Sequence, residues 1–361
     1  MKIFYSFLCL LLIFLFLNLF AYLLQSSIAQ SGITQVGISD FPDEIIKNTV
    51  GFLDQKSWVT LLKVNQRFHT LTHQGVKVLK IRGHSASEII SKLSAFLFKG
   101  RSEDQVHTAL EAFDLSGLDM TAEILQDLVK FIQVHVPNIK SLDLSGNSIG
   151  ATGATYLATL SQLKSLNLCG NNIGADGVVH LARLTQLEIL NLACNNIEAD
   201  GVAHLATLSQ LKWLDLGGDK IGSTGAAHLA TLSQLKSLNL CGNNIGADGV
   251  VHLATLSQLK KLNLACNNIP ATSAAYLARL TQLTCLNLYR NNIGSDGAVH
   301  IATLSQLKSL NLSCNNISSV ESTHLKELTR LEMLDLSRNN IHDAEIDALS
   351  QIFEDYVTIF Y

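Results

Sequence analysis

The chain has 361 residues, of which 47% are hydrophobic and 16% are charged, and its formal net charge is -4. A chain of this composition can bury a large core, which excludes a disordered polyelectrolyte. The slightly acidic balance lacks the basic footprint that nucleic-acid binding leaves, so we expect no nucleic-acid partner.

The first 29 residues have the pattern of a targeting segment. Residues 3–24 are nearly all apolar and carry no charge, and this run is long enough for a membrane-spanning helix. Ser27-Ile28-Ala29 follows, with the small residues typical of a signal-peptide cleavage site. Two alternatives remain: a cleaved signal, with a mature chain that begins at Gln30, or an anchor that holds the protein in the membrane. Both predict a secreted or membrane-anchored protein.

Residues 39–81 predict a small all-α module. Apolar residues recur at helical spacing, as in Ile45, Ile46, Val50 and Leu53. So short a segment has too few residues for a large core of its own. We therefore expect its apolar face either to dock on a partner or to cover the first repeat. Residues 82–138 follow as connecting helices and a degenerate N-terminal capping repeat, in which Leu110–Leu118 reads LEAFDLSGL.

Residues 139–354 consist of nine units of 24 residues each. The unit that begins at Leu163 reads LKSLNLCGNNIGADGVVHLARLTQ. Its first half has the period-two pattern of a strand, and its second half has helical spacing. A single unit cannot bury its leucines, so neighbouring units must stack on one another. The sequence predicts an α/β solenoid, a horseshoe with its strands on the concave side. Residues 355–361 are predicted to form the C-terminal cap.

Three positions within the unit have predicted structural roles. The ninth place carries asparagine, with Asp219 as one exception, and we expect this side chain to be buried and to satisfy backbone groups. The fourteenth place carries Asp or Thr, such as Asp176, which we expect to cap the helical half. The fifteenth place carries glycine, such as Gly177, which permits close packing.

Two parts of the chain resemble known families. Phe41-Pro42-Asp43-Glu44-Ile45 resembles the LPxEI opening of an F-box, with Phe in place of Leu, and residues 64–68 resemble its second half. The units resemble leucine-rich repeats of the GALA class, which is named for a glycine and a Leu-Ala pair; here the forms are GATYLA, GVVHLA, GVAHLA and GAAHLA. The combination is similar to a group of bacterial effector proteins that act inside eukaryotic host cells.

This resemblance implies a target-recruiting subunit of a host SCF-type ubiquitin ligase. The F-box would dock on the Skp-type adaptor of the cullin ligase, and the repeats would hold the target protein. By position, the docking residues would be Phe41, Pro42, Ile45, Ile46, Val50, Leu53, Leu62, Val64 and Phe68. The alternative is a secreted or surface-anchored binding protein without a role in ubiquitin transfer. Export and a ligase role agree only if the protein reaches a host cell.

The second, third and fifth places of each unit are expected to line the concave face, where most units carry Lys, Ser and Asn. Trp213, Tyr289, Ile189 and Met333 interrupt this pattern, and exposed apolar side chains often anchor interfaces. We therefore expect these four residues to contact the target. The lysines of the second place form a ladder that is predicted to be a solvated rim.

No pattern in the sequence indicates catalysis. Histidines recur at the eighteenth place of five units, at His180, His204, His228, His252 and His300, and we expect surface helix residues and no metal site, because a metal site needs convergent ligands. Cys241 could approach Cys266 of the next unit, yet the seventh and eighth places of a strand should point to opposite sides, which favours free thiols. Nucleophile, phosphate-loop and metalloprotease motifs are missing from the sequence, so we expect neither an enzyme nor a cofactor.

Overall fold

The computed structural model describes residues 78–80, four residues between 88 and 93, and residues 110–318, 322–325, 327–353 and 357–360. The chain divides into two units at Thr70, and all of the described residues belong to the second, Leu71–Tyr361. The predicted targeting segment and the residues predicted to dock on an adaptor therefore lie outside the described residues.

The described residues form one parallel sheet in which every strand pairs with the next strand along the chain. Neighbouring strands pair in the same register, as in Ser165↔Ile189 and Leu166↔Leu190. The strands are β1 (Val78–Lys80), β2 (Ala112–Asp114), β3 (Ser141–Asp143), β4 (Ser165–Asn167), β5 (Ile189–Asn191), β6 (Trp213–Asp215), β7 (Ser237–Asn239), β8 (Lys261–Asn263), β9 (Cys285–Asn287), β10 (Ser309–Asn311), β11 (Met333–Asp335) and β12 (Thr358–Phe360).

Short helices connect most of the strands and pack against one another along the array. They are α1 (Ala122–His135), α2 (Gly150–Leu157), α3 (Gly174–Leu181), α4 (Glu198–Leu205), α5 (Gly222–Leu229), α6 (Gly246–Leu253), α7 (Ala271–Leu277), α8 (Gly294–Ile301), α9 (Ser322–Leu325) and α10 (Asp343–Phe353). Among the described residues, no helix has the length and apolar character that crossing a bilayer requires. The predicted parallel-sheet α/β solenoid is confirmed.

The core lies between the sheet and the helices and runs continuously through the array. In the unit that begins at Leu163, the side chains of Leu166, Leu168, Val178 and Leu181 are fully buried. Strand and helix of one unit supply one layer of this core, and the next unit covers it. The hydrophobic contribution therefore accumulates between units, at roughly 25 cal/mol for each Å² of apolar surface removed from water.

Both ends of the sheet contain strands beyond the nine regular units. Strand β1 lies in the last residues of the segment for which the sequence predicts only helices, and Leu79 pairs with Phe113 of the degenerate repeat. Strand β12 extends the other edge, where Ile359 pairs with Leu334 and packs against the core. Phe360, which we expected to help cover the last unit, is instead 47% exposed.

The predicted helix caps are wrong. Helix α3 begins at Gly174, so Asp176 stands inside its first turn, and no side chain caps the helix. The next unit supplies the missing acceptor, because the Gly174 N–H donates to the Asn195 carbonyl oxygen at 2.9 Å. Backbone groups of the neighbouring repeat thus replace the side-chain cap that an isolated helix would need. Asp176 still complements the positive end of the helix dipole.

The glycine at the fifteenth place has the predicted packing role. A Cβ atom at Gly177 would lie 2.6 Å from Ile173 Cγ2 and 3.1 Å from the Cα of Ala151 in the preceding helix. The first distance is too short for a real side chain, and the second is to backbone. Glycine at this place therefore sets how closely α2 and α3 approach.

Buried asparagines at the ninth place join each unit to its neighbours, as predicted. The Asn195 Oδ1 accepts hydrogen bonds from the N–H groups of Asn171 and Ile173 at 2.9 and 3.0 Å. Its Nδ2 donates to the carbonyl oxygens of Leu168 and Leu192, both at 2.8 Å. One amide thus satisfies four backbone groups from two units, in a place that water does not reach.

Asp219 occupies the ninth place of one unit and is fully buried. Its Oδ1 accepts from the N–H groups of Asn195 and Ile197 at 2.7 and 3.3 Å, as an asparagine oxygen would. Its Oδ2 has no hydrogen-bond partner among the described residues. Burial raises the pKa of the Asp219 carboxyl to about 7.

Candidate functional site

We call the side of the sheet that bears the third and fifth places of each unit the strand face. On strands β2 to β12 the middle residue packs in the core or against it, so the residues on either side of it project from the sheet. Identical register along the array therefore arranges the third and fifth places in two columns. These columns offer a partner a surface with one pair of side chains every 4.8 Å or so.

A groove of about 390 Å³ runs along the strand face from β6 to β12. Apolar side chains stand at its two ends, with Trp213 at one and Met333 and Phe360 at the other. Between the ends, polar side chains of the third and fifth places, including Lys261 and Asn263, line the groove together with Cys285 and the strand leucines. The groove can thus receive a partner with apolar ends and a middle that forms hydrogen bonds.

The structure separates the four predicted contact residues into three places. Ile189 and Trp213 are register partners on β5 and β6, so they form one apolar pair. Met333 lies on β11, five strands from Trp213, which corresponds to about 24 Å. Tyr289 stands at a seventh place, just beyond β9, and is half-buried. Ile189 is 44% exposed and Met333 is 46% exposed.

Phe360 also belongs to this surface, although it was not among the predicted contact residues. Phe360 belongs to the apolar C-terminal segment, which the sequence assigned only to covering the core. Residues 358–360 carry the signal that could have shown this: in a strand, Thr358 and Phe360 lie on one face and Ile359 lies on the other.

Side-chain amides of the fifth place are held in one orientation by their own loops. The Asn239 Oδ1 accepts from the Cys241 N–H at 3.0 Å, and the Asn263 Oδ1 accepts from the Ala265 N–H at 3.1 Å. Because these two oxygens are occupied, the Nδ2 groups of Asn239 and Asn263 are directed away from the loop and are preset donors for carbonyl or carboxylate oxygens of a partner. At Asn167 and Asn311 the Nδ2 instead donates to the fifth-place carboxylates of Asp143 and Asp335.

The lysine ladder beside these columns is partly neutralised by glutamates of the same second place. The Glu188 carboxylate accepts from Lys212 Nζ at 2.6 Å and from Lys164 Nζ at 3.2 Å, and these hydrogen bonds hold the Glu188 pKa below its usual range. Lys308 pairs with Glu332 at 2.6 Å. All of these groups are substantially exposed, so the pairs add little stability.

The helical side of the array carries an open depression of about 530 Å³, lined by Ser223, Thr224, Ala227, Asp248, Val251 and His252. Its histidines are exposed or half-buried, as His204 and His180 illustrate. In the part of the chain that the structure describes, no cluster of His, Cys, Asp and Glu could hold a metal ion.

Leucine-rich-repeat models match most of the array. One matches residues 161–221, 185–245, 233–293, 281–341 and 305–351, which together run without a gap through more than half of the chain. A second leucine-rich-repeat model matches residues 135–158. The chain belongs to the leucine-rich-repeat family. None of the matched ranges includes residues 39–81, for which the F-box resemblance was drawn.

Solved structures of bacterial leucine-rich-repeat proteins are similar to this one. An internalin, InlF, from Listeria monocytogenes is 26% identical, with a TM-score of 0.55, over 70% of this chain and 81% of the internalin chain. A leucine-rich-repeat protein from Leptospira interrogans is 16% identical, with a TM-score of 0.39, over 79% of this chain and 90% of that chain. A comparison with curated protein sequences gave no match.

Proposed function

We propose that this leucine-rich-repeat protein is a non-catalytic scaffold that binds a protein partner on its strand face. The observation that carries the proposal is the exposure of Ile189, Met333 and Phe360, which are 44%, 46% and 47% exposed on a face whose other third- and fifth-place side chains are mostly polar. Water-exposed apolar side chains on a rigid sheet are removed from water when a partner covers them, and this removal favours association.

The rigidity of the face supports the same proposal. Each strand is fixed by hydrogen bonds to both neighbours, and each fifth-place amide by its own loop. Little conformational entropy is lost when such a surface binds, so more of the contact energy appears as affinity. The partner should bridge the Trp213 end and the Met333 end of the groove.

A paired set of variants tests the strand face. Affinity capture from the protein's natural environment should identify a partner with the wild-type chain. The double substitution Trp213→Ala and Met333→Ala should weaken that partner's binding by about 2–4 kcal/mol, measured by calorimetry. The control replaces Val179 and Val251, which are 43% and 39% exposed on the helices, by Ala. Equal binding by both variants would remove the strand face as the interface.

We further propose a bacterial protein that is secreted or held at the cell surface. The apolar residues 3–24 and the likeness to a bacterial internalin support this location. Mass spectrometry of the native N-terminus distinguishes the two forms: a secreted chain begins at Gln30, and an anchored chain retains Met1. An intact chain found free in solution would contradict both.

A second candidate function is recruitment of the bound partner to a host ubiquitin ligase. Its support is the resemblance of Phe41–Ile45 and residues 64–68 to an F-box, a segment outside the described residues. Truncating Phe41 and Ile45 to Ala should weaken binding of a purified Skp-type adaptor by ~2–4 kcal/mol, because central apolar anchors are lost. The polar pair Gln55→Ala and Lys56→Ala serves as the control.

The same variants separate docking from capping. If residues 39–81 only cover the first repeat, the Phe41 and Ile45 truncation lowers the melting temperature, and the wild-type chain captures no adaptor at micromolar concentration. That result would contradict the ligase proposal. The proposal of a binding scaffold does not depend on the ligase role and would be unaffected.

A further inference from the structure

Cys241 and Cys266 lie on neighbouring units, at the point where two adjacent strands have just ended. Strands β7 and β8 pair Asn239 with Asn263, and the ladder continues beyond them. The Gly242 N–H donates to the Ala265 carbonyl oxygen at 2.9 Å. The peptide that joins Cys241 to Gly242 is thus hydrogen-bonded to the peptide that joins Ala265 to Cys266. Two residues that flank such a peptide pair have the backbone separation of disulfide partners.

The local backbone is not extended where the eighth place of the unit lies. Consecutive residues alternate between faces only in an extended chain, which is why the sequence predicted that the seventh and eighth places diverge. Cys266 is left-handed, with φ of 56°, so this alternation does not apply to it. The Cys266 thiol is near enough to the Cys241 thiol to contribute, after burial, to the raised pKa of Cys241, and both side chains are half-buried.

A duplicated pair differs in the surroundings of its eighth-place cysteine. Cys169 and Cys194 hold the same two places in an earlier copy, and Cys194 is also left-handed, with φ of 59°. There, however, the next unit has Gly218 at the eighth place, and the Cys194 sulfur lies 3.5 Å from the point where a Cβ of that glycine would stand. The next unit after Cys266 has Arg290, and no glycine, at this place. The Cys194 sulfur thus lies against the following unit and is exposed, whereas Cys266 is half-buried.

We propose that Cys241 and Cys266 form a disulfide that joins two consecutive repeats when the protein meets a disulfide-bearing oxidant. Such oxidants are available in the oxidising compartments to which export would deliver the chain. Among the six cysteines in the part of the chain that the structure describes, these two stand just beyond adjacent strands, beside the Gly242–Ala265 hydrogen bond, and both are half-buried. In a reducing cytosol both thiols stay free.

The reaction is two successive thiol–disulfide exchanges. The thiolate of one cysteine attacks a sulfur of the oxidant, the oxidant's S–S bond breaks, and one oxidant thiolate leaves. The second cysteine, after losing its proton, attacks the protein sulfur of this mixed disulfide and releases the other oxidant thiolate. The protein loses two electrons and two protons, and the oxidant disulfide is reduced to two thiols. Burial, and then the adjacent Cys266 thiol, raise the pKa of the Cys241 thiol, so closure should quicken with pH.

Peptide mapping of the full chain tests the proposal. The protein is equilibrated in a mixture of reduced and oxidised glutathione, free thiols are blocked, and the chain is cleaved with trypsin without reduction. Cys241 and Cys266 fall on different peptides, residues 237–260 and 262–279. A cross-link between these two peptides is the expected product, and Cys285→Ser should leave it unchanged. Glutathione bound at either cysteine without a cross-link, or a predominant Cys169–Cys194 cross-link, would overturn the proposal.

Thermal melting gives an independent reading. A bond between two repeats restricts the unfolded chain, so the oxidised wild type should melt several degrees above the reduced form. The Cys241→Ser variant should melt at one temperature in both buffers. A redox-dependent melting temperature that persists in this variant would place the responsible thiols elsewhere.

Discussion

At Asp219, a carboxylate oxygen replaces the amide nitrogen of the ninth-place asparagine, and this changes the hydrogen bonds of the ladder. A regular ninth-place amide donates two hydrogen bonds from Nδ2, and Asn195 uses them on the Leu168 and Leu192 carbonyl oxygens. By the same pattern, the Asp219 Oδ2 should face the carbonyl oxygens of Leu192 and Leu216. An ionised carboxylate would place a buried charge against two acceptors, which is unfavourable. A protonated carboxyl can donate one of the two missing bonds. Asp219 is therefore most stable as a neutral acid.

This chemistry predicts that the protein loses stability as the pH rises. Burial raises the pKa of Asp219 from 3.8 to about 7 in the folded state, whereas an unfolded chain keeps the ordinary value. The folded state therefore holds the proton more tightly, so the associated stability is complete below pH 4 or so and is lost as the pH approaches 7. This pKa difference corresponds to a loss of at most about 4 kcal/mol in the free energy of unfolding.

Asp219→Asn should remove this pH dependence and restore both donors. We expect the variant to unfold at higher denaturant concentration than the wild type at pH 8, with a smaller difference at pH 4. Asp248→Asn changes the same charge at an exposed position on α6 and is the matched control. If the wild type and Asp219→Asn have parallel stability curves between pH 4 and 8, Asp219 does not titrate in that range.

Asn243 tests the regular form of the network. Its Oδ1 accepts from the Asp219 and Ile221 N–H groups at 3.0 and 3.2 Å, and its Nδ2 donates to the Leu216 carbonyl oxygen at 2.6 Å. Asn243→Leu keeps the volume but leaves these buried groups unpaired. We expect a loss of on the order of 1–3 kcal/mol in the free energy of unfolding. Gln258→Leu, at an exposed position of the same repeat, should change the free energy of unfolding far less. Equal losses in the two variants would contradict the stabilising role of the asparagine ladder.

At the scale of the element, the sequence predicted what depends on one unit and failed where two units meet. The strand pattern, the buried leucines and the ninth-place asparagine follow from periodicity within 24 residues. The helix caps were wrong because the acceptor for Gly174 comes from Asn195 of the next unit. We expected the side chains of Cys241 and Cys266 to point to opposite faces because we assumed an extended chain. The backbone at Cys266 is instead left-handed. For the proposed binding surface, four residues could be predicted from their departure from the repeat, but no pattern showed which of them come together.

The packing of adjacent helices gives a prediction at this scale. Gly177→Ala would place a methyl group 2.6 Å from Ile173 Cγ2 and 3.1 Å from the Ala151 backbone, so α2 and α3 must move apart. We expect a destabilisation of about 1–3 kcal/mol, despite the intrinsic preference of alanine for helices. Ser273 holds the same place in α7 and is already a buried non-glycine residue, so Ser273→Ala should change stability little. Chemical denaturation of both variants measures the contrast, and a more stable Gly177→Ala protein would contradict the packing account.

For the whole molecule, the repeat architecture allows whole units to be removed. Residues 163–234 and 235–306 are near-copies of one three-unit block, so the surfaces at their ends are nearly the same. The two blocks nevertheless differ in content. The first contains Ile189, Trp213 and Asp219, and the second contains Cys241 and Cys266. Deleting one block therefore removes the Asp219 carboxyl or the Cys241–Cys266 pair and leaves the other in place.

Both shortened chains should fold, because each unit contacts only its neighbours and the new junction in either chain restores a native-like interface. The shortened chains should unfold cooperatively at a lower temperature than the wild type, since three interfaces are lost. Deletion of 163–234 should abolish the pH dependence assigned to Asp219 and retain the Cys241–Cys266 disulfide, whereas deletion of 235–306 should do the reverse. Circular dichroism melts at pH 4 and pH 8, run beside peptide maps, measure all of these outcomes. Aggregation of both shortened chains would contradict a core built unit against unit, and partner binding retained by both would place the interface outside the duplicated blocks.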